Sequence, residues 1–218
     1  MEHFGVTVVK RKYSLHLTRE EFAPINTRCT LPKFPNLVKE NAYVDDSGKQ
    51  YRLEWCEKYR AVCLKNFDLN MAYFNSLDAN DFNCALQNFL EKHPQFHQIS
   101  DLSDYEISGY YLMILDNYKQ AYIGKSSNIK KRIREHWQNS KPFDRTLLPM
   151  YAFQTSCFSI DFFRALDTTR IYIWPRKISE GIESALVNDF PNKYLTNRIG
   201  GDTTNLLEAC ATLNTRIL

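Results

Sequence analysis

Apolar and polar positions sort this chain into short strand-like runs and a few helix-like stripes. The first half opens with two β-like runs, Val6-Thr7-Val8-Val9 and Tyr13-Ser14-Leu15-His16-Leu17, followed by a loop punctuated by Pro24, Pro32 and Pro35. Tyr43-Val44 and Gln50-Tyr51-Arg52-Leu53 flank Asp45-Asp46-Ser47-Gly48, a hairpin signal. Residues 80–92 predict a helix, because Phe82, Leu86, Phe89 and Leu90 recur at helical spacing. His93-Pro94 ends it, and the polar, acidic stretch from Gln95 to Ser108 predicts a domain boundary.

The second half begins with a clearer hairpin, 110–115 and 119–123, turning at Asp116-Asn117. A two-residue loop makes paired positions sum to 233, which sets Tyr111 opposite Tyr122 on one face. Tyr110, Leu112, Ala121 and Ile123 then pack on the other face. Ser126, Ser127 or Asn128 can cap a helix running to about Trp137, with Ile129, Ile133 and Trp137 as its apolar stripe. Arg132 and His136 form the adjacent stripe, expected to be exposed. After a blurred stretch, Thr169 to Trp174 predicts a third strand. Ser179 can cap a last helix ending at Phe190, with Glu183 flanking its apolar side and able to face a shared cleft. Strand, strand, helix, strand, helix predicts a small α+β layer: three antiparallel strands flanked by helices, preceded by a separate mixed α+β domain.

Composition narrows the class. The chain has 218 residues, 44% hydrophobic and 24% charged, enough for a real core and ordinary for a globular protein. No apolar run reaches the ~18–20 residues of a membrane span. Met1-Glu2-His3-Phe4-Gly5 starts with an acid and lacks an apolar segment, so no export signal and a cytoplasmic setting are expected. Six scattered cysteines then read as reduced thiols. A zinc set of Cys56, Cys63, His93 and His97 is disfavoured, since the Cys spacing is too wide for a knuckle and Pro94 interrupts the His pair.

The net charge of +3 hides an asymmetry. Residues 1–108 carry 13 Lys and Arg against 15 Asp and Glu, whereas residues 109–218 carry 15 against 10. The excess peaks at Lys125, Lys130, Lys131, Arg132 and Arg134, which suits a polyanion, nucleic acid first; a solvated helix face is the plainer reading.

Gly109-Tyr110-Tyr111, ten residues, then Tyr122-Ile123-Gly124 resembles the GIY-YIG nuclease signature, with Tyr in place of the middle Ile. Arg132, His136, Glu183 and Asn197 follow in the order of that superfamily, and the resemblance spans about 108–202. Six matched positions coincide by chance at about 1 in 10⁷–10⁸ per starting point. Each residue alone has a plainer reading: Tyr111 and Tyr122 as sheet aromatics, Arg132 as a solvated cation, His136 as structural.

The resemblance implies a DNA endonuclease dependent on Mg²⁺ (or Mn²⁺), hydrolysing phosphodiester bonds by single-metal, in-line attack of water. In it Tyr111 orients or deprotonates the water, a base role that would need its pKa lowered from about 10. Tyr122 and His136 complete the proton network, Arg132 meets the charge on phosphate, and Glu183, with Glu180 as rival, holds the metal. Lys125, Lys130, Lys131 and Arg134 position phosphates, while Gly109, Gly124 and Asn197 shape and close the site. Restriction, phage or mobile-element, and repair or recombination settings all fit, and a catalytically silent nucleic-acid-binding module is the competing class. The expected organisation is an accessory domain at 1–100 for target recognition or partner binding, the nuclease module at 105–205, and a tail at 206–218. Lys10-Arg11-Lys12 is a candidate DNA patch in the first of these. Oligomeric state is open, a dimer included.

Overall fold

The computed structural model describes residues 1–10, 14–25, 53–139, 141, 143–148 and 153–198. The expected hairpin at 43–53, Arg11 and Lys12, Pro32, Pro35 and the tail at 206–218 lie outside the described residues, except that Leu53 begins a helix. Among the described residues six strands and four α-helices follow in chain order. They are β1 (Glu2–His3), β2 (Val6–Thr7), α1 (Leu53–Ser76), α2 (Ala79–Lys92), β3 (His97–Ile99) and β4 (Gly109–Leu115). Then come β5 (Gln120–Ser126), α3 (Ile129–Gln138), β6 (Arg170–Pro175) and α4 (Ile182–Asp189).

The architecture is α+β, with one correction to the expected sheet. It has four strands in the order β3-β6-β4-β5, every neighbouring pair antiparallel. The fourth, His97-Gln98-Ile99, lies in the stretch read as a boundary and pairs with the edge of β6. A polar edge strand of three residues carries no alternation to betray it. Residues 14–17 form no strand; their backbone meets Asp167 and Leu166 instead, Leu17 N–H donating to Asp167 Oδ2 at 2.7 Å.

Strand β4 reads Tyr-Tyr-Leu-Met-Ile-Leu after Gly109 and is buried throughout, because both sheet faces are covered. On one face Tyr111, Met113, Leu115, Ile171 and Ile173 pack with Phe67 and Phe74 of α1, the α3 stripe, and Phe158, Phe162 and Phe163. On the other, Tyr110, Leu112, Ile114, Ala121 and Ile123 pack with Phe82, Leu86 and Phe89 of α2 and with Leu186 and Val187 of α4. The helices of the first half thus lie against the sheet of the second. Asp78 starts α2, its side chain accepting from the N–H groups of Asn80 and Asp81.

The hairpin register also differs from expectation. The connection is Asp116–Tyr118 in a 3-10 turn plus Lys119 in the left-handed region, so Tyr111 faces Gly124 and Met113 faces Tyr122. The slip is two residues, an even number, and Tyr111 and Tyr122 therefore stay on one face.

Candidate active site

Tyr111 and Gly124 form the floor of the site. A Cβ at position 124 would lie 2.5 Å from Tyr111 Oη and Cζ and 2.9 Å from Tyr122 Cε1, so only glycine lets the ring lie across β5. The Tyr111 and Tyr122 rings sit 6.1 Å apart. At Gly109 a Cβ would meet the Trp174 carbonyl at 2.4 Å, which lets β6 close against β4 at the same end.

Helix α3 begins where the Asn128 side chain accepts from Lys131 N–H at 2.8 Å. Its buried stripe, Ile129, Ile133 and Trp137, is as expected, but His136 is not on an exposed stripe: it is 1% exposed. Described residues between 139 and 163, among them the turn Ile160–Phe162, cover that side of the helix. His136 Nε2 lies 2.8 Å from Tyr111 Oη, and its Nδ1 lies 2.6 Å from Asp161 Oδ1. Asp161 Oδ2 pairs with Lys141 Nζ at 2.8 Å. Tyr122 meets the imidazole edge to face at 5.1 Å.

The electrostatics follow from burial. Burial lowers the His136 pKa, opposed by the hydrogen bond and charge of Asp161, and the net direction is down. Burial alone would raise Asp161, but its contacts with His136 and Lys141 outweigh that and hold it well below the carboxylate range. Burial pushes Tyr111 well above its ordinary value, reinforced by Tyr122 and only partly offset by Arg132. The phenol is therefore protonated and the imidazole neutral near pH 7. The Asp161 carboxylate beside Nδ1 favours a proton there, which leaves Nε2 able to accept from the Tyr111 hydroxyl.

These groups open onto a cleft of about 540 Å³ that is also lined by Lys125, Arg132, Glu183 and Asn197. The last helix starts at Ile182, after Gly181 at φ 77°, and not at Ser179. Ser179 is held instead by Tyr110, exchanging backbone hydrogen bonds with its hydroxyl at 2.9 and 3.0 Å. Glu183 falls in the first turn of α4, where the helix dipole favours an anion, and it is 5% exposed. Glu180 precedes the helix, exposed and off the cleft. Burial raises the Glu183 pKa, opposed by Lys125, whose Nζ lies 3.4 Å away, and by Arg132.

Among the described residues no three His, Cys, Asp or Glu side chains group as a metal cage. One desolvated carboxylate facing a wide cleft nevertheless fits Mg²⁺ or Mn²⁺, hard ions content with one or two carboxylates when phosphate and water supply the rest. The cysteines and histidines weighed for zinc have other neighbours: Cys56 and Cys63 are buried in the core with α1, and His93 Nε2 meets Asp189 at 3.0 Å.

Asn197 accepts from Ile123 N–H at 3.1 Å and donates to the Ile123 carbonyl at 2.8 Å. It thereby acts as a strand neighbour for β5 beside Tyr122. Arg198 is buried and donates to the carbonyls of Cys157, Arg145 and Thr146; burial lowers its pKa to about 10. The remaining cations of α3 lie elsewhere. Lys130 pairs with Glu106 at 2.9 Å, and Lys131 and Arg134 are exposed on the outer face. Four charged residues of the cleft escaped sequence reasoning: Lys141, Arg145, Asp161 and Arg198. Only Asp161 carried a local signal, since Ser159-x-Asp161 is a cap pattern, and Ser159 does cap the turn Ile160–Phe162.

Comparison with protein families matches residues 107–169 to the GIY-YIG catalytic domain. No curated protein and no solved structure matches the chain. The matched span contains Tyr111, Tyr122, Arg132 and His136, four of the residues that meet in the cleft. No helix among the described residues is long and apolar enough to cross a membrane. The chain thus carries, at residues 107–169, a GIY-YIG catalytic domain, the catalytic module of a nuclease superfamily.

Proposed function

We propose that this protein is a Mg²⁺- or Mn²⁺-dependent DNA endonuclease that hydrolyses phosphodiester bonds by in-line attack of water. The observation that carries this reading is a buried Tyr111 hydroxyl 2.8 Å from Nε2 of a buried His136, in a cleft shared with Arg132 and Glu183. Glu183 would hold the ion, which when bound supplies positive charge to the phosphate and to the departing 3′ oxygen. Arg132, its side chain 42% exposed at the cleft, offers a planar fork of donors to the non-bridging oxygens.

Because burial raises the Tyr111 pKa, a standing phenolate is not the base. The Tyr111 oxygen accepts the water proton while its own proton passes to His136 Nε2. The new P–O bond forms as the bond to the 3′ oxygen breaks, and that oxygen takes a proton from solvent. Lys125 stays beside Glu183 and positions the flanking charge; Lys130, Lys131 and Arg134 act, in this reading, on phosphates outside the cleft.

Residues 1–100 form the accessory region, and one of its contributions is structural. Asn66 and Asn70 of α1 both donate to the Ser156 carbonyl, at 2.8 and 3.0 Å, and so support the segment leading to Asp161.

The test incubates the protein with supercoiled plasmid and with branched and single-stranded DNA, in Mg²⁺ or EDTA, beside Glu183→Ala and Arg132→Ala. Cleavage is expected only for the unsubstituted protein with metal. Cleavage that survives EDTA, or both substitutions, overturns the mechanism. Binding of every substrate without cleavage marks a silent nucleic-acid-binding module instead.

A further inference from the structure

The Tyr111–His136 pair has a third member. Asp161 stands on a 3-10 turn, capped at its start by Ser159 and held from the side by Arg164, whose Nη1 donates to the Asp161 carbonyl at 3.3 Å and to that of Asn139 at 2.9 Å. Its two carboxylate oxygens are divided between His136 Nδ1 and Lys141 Nζ, at 2.6 and 2.8 Å. Among the described residues, five groups face the imidazole: Tyr111 from β4, Tyr122 from β5, Arg132 from its own helix, and Asp161 and Lys141 from the covering segment. Two are cations that oppose a proton on His136, two are phenols, and Asp161 alone supplies negative charge.

We propose that Asp161 is the positioning residue of this site: it holds His136 as the Nδ1–H tautomer, aims Nε2 at Tyr111, and balances the imidazolium formed when the proton arrives. This rests on the reading of Tyr111 and His136 as the proton path. The reason is geometric and electrostatic. An imidazole with its proton on Nε2 would present a donor to Tyr111, and the phenol proton would have nowhere to go. An imidazolium buried beside two cations needs a fixed carboxylate partner. Lys141 holds that carboxylate ionised and fixes its rotamer.

The experiment uses the full chain. Histidine-¹⁵N NMR, with His136→Gln for assignment, reads the tautomer directly; Nδ1–H is expected in the unsubstituted protein and a shift toward Nε2–H in Asp161→Asn. In plasmid cleavage, Asp161→Asn should lower kcat about 10²–10⁴-fold with KM within about threefold. His136 must be neutral to accept the proton, and Asp161 raises its pKa. Asp161→Asn therefore moves the acid limb of the kcat profile to lower pH, and Lys141→Met, which removes an opposing cation, moves it to higher pH. A merely structural aspartate shifts neither limb. An Nε2–H tautomer in the unsubstituted protein overturns the proposal, as does an Asp161→Asn variant that keeps both its tautomer and its kcat. Should the intact protein cut no substrate, the nuclease reading fails separately, and the tautomer change in Asp161→Asn still decides whether Asp161 positions His136.

Discussion

One wall of the cleft is regular and the other is not. Tyr111, Tyr122, Arg132 and His136 project from β4, β5 and α3, whose backbone groups are paired within the sheet and helix. The opposite wall, described residues between 139 and 163, has only 3-10 turns and loops. Its carbonyls are satisfied by side chains reaching from afar: Asn66 to Phe153 and Ser156, Asn70 to Ser156, and Arg198 to Arg145, Thr146 and Cys157. Tyr59 adds a hydroxyl that donates to the Asp144 carbonyl and accepts from Leu147 N–H. A buried irregular backbone must find partners somewhere, and here distant polar residues replace the ladder that a sheet provides. The regular wall carries chemistry on elements that would form in many contexts. The irregular wall exists only because the rest of the chain holds it.

This contrast can be broken from either side. The largest effect is expected on the regular wall's chemistry: Arg132→Lys should cut kcat by about 10²–10³-fold, because an ammonium cannot reproduce the planar fork. Stability by urea denaturation should hardly move, since the side chain is part-exposed. Next comes the irregular wall. Asn66→Ala should cost about 1–3 kcal/mol in urea denaturation by orphaning the Phe153 carbonyl, even though its own Oδ1 has no partner among the described residues. Asn70→Ala should add more than its own value to that variant, because the Ser156 carbonyl keeps one amide donor after either single change and loses both in the pair. Full additivity would show that the two act independently and that the wall is not a unit.

Gly124→Ala probes the regular wall by steric means. Its methyl must displace the Tyr111 hydroxyl, for about 1–3 kcal/mol of destabilisation, and cleavage should fall more than stability does. The smallest effect belongs to Lys131→Ala on the outer face of α3. Its stability should stay within about 0.5 kcal/mol. If Lys131 touches phosphate, the salt dependence of DNA binding should flatten by about one unit of slope.

Legibility followed the same division. The hairpin and α3 could be read because strand-like apolar runs, a turn and the Asn128 cap agreed. The register was misread by two because Tyr118 and Lys119 belong to the turn, Lys119 at φ 49°. Faces survive an even slip, so the tyrosine pairing in space was still right. Helix α1 left little trace because its buried stripe, Cys56, Tyr59, Cys63, Asn66, Phe67, Asn70 and Phe74, includes two asparagines that blunt its periodicity. The same asparagines are what the irregular wall needs. His136 looked exposed because its cover, the segment bearing Asp161, has no periodic pattern of its own. Asp161 lies 25 residues from the ring it touches, and nothing local announces such a pairing.

The buried guanidinium of Arg198 also sets an order in time. It binds carbonyls 41 to 53 residues earlier in the chain, and Asn66 binds one 90 residues later. A growing chain emerging amino end first has made Tyr111, His136 and Asp161 well before the arginine that clamps their covering segment. Glu183, and β6 that pairs with β4 in the regular wall, also follow Asp161 in the chain, so both walls are finished only late in synthesis.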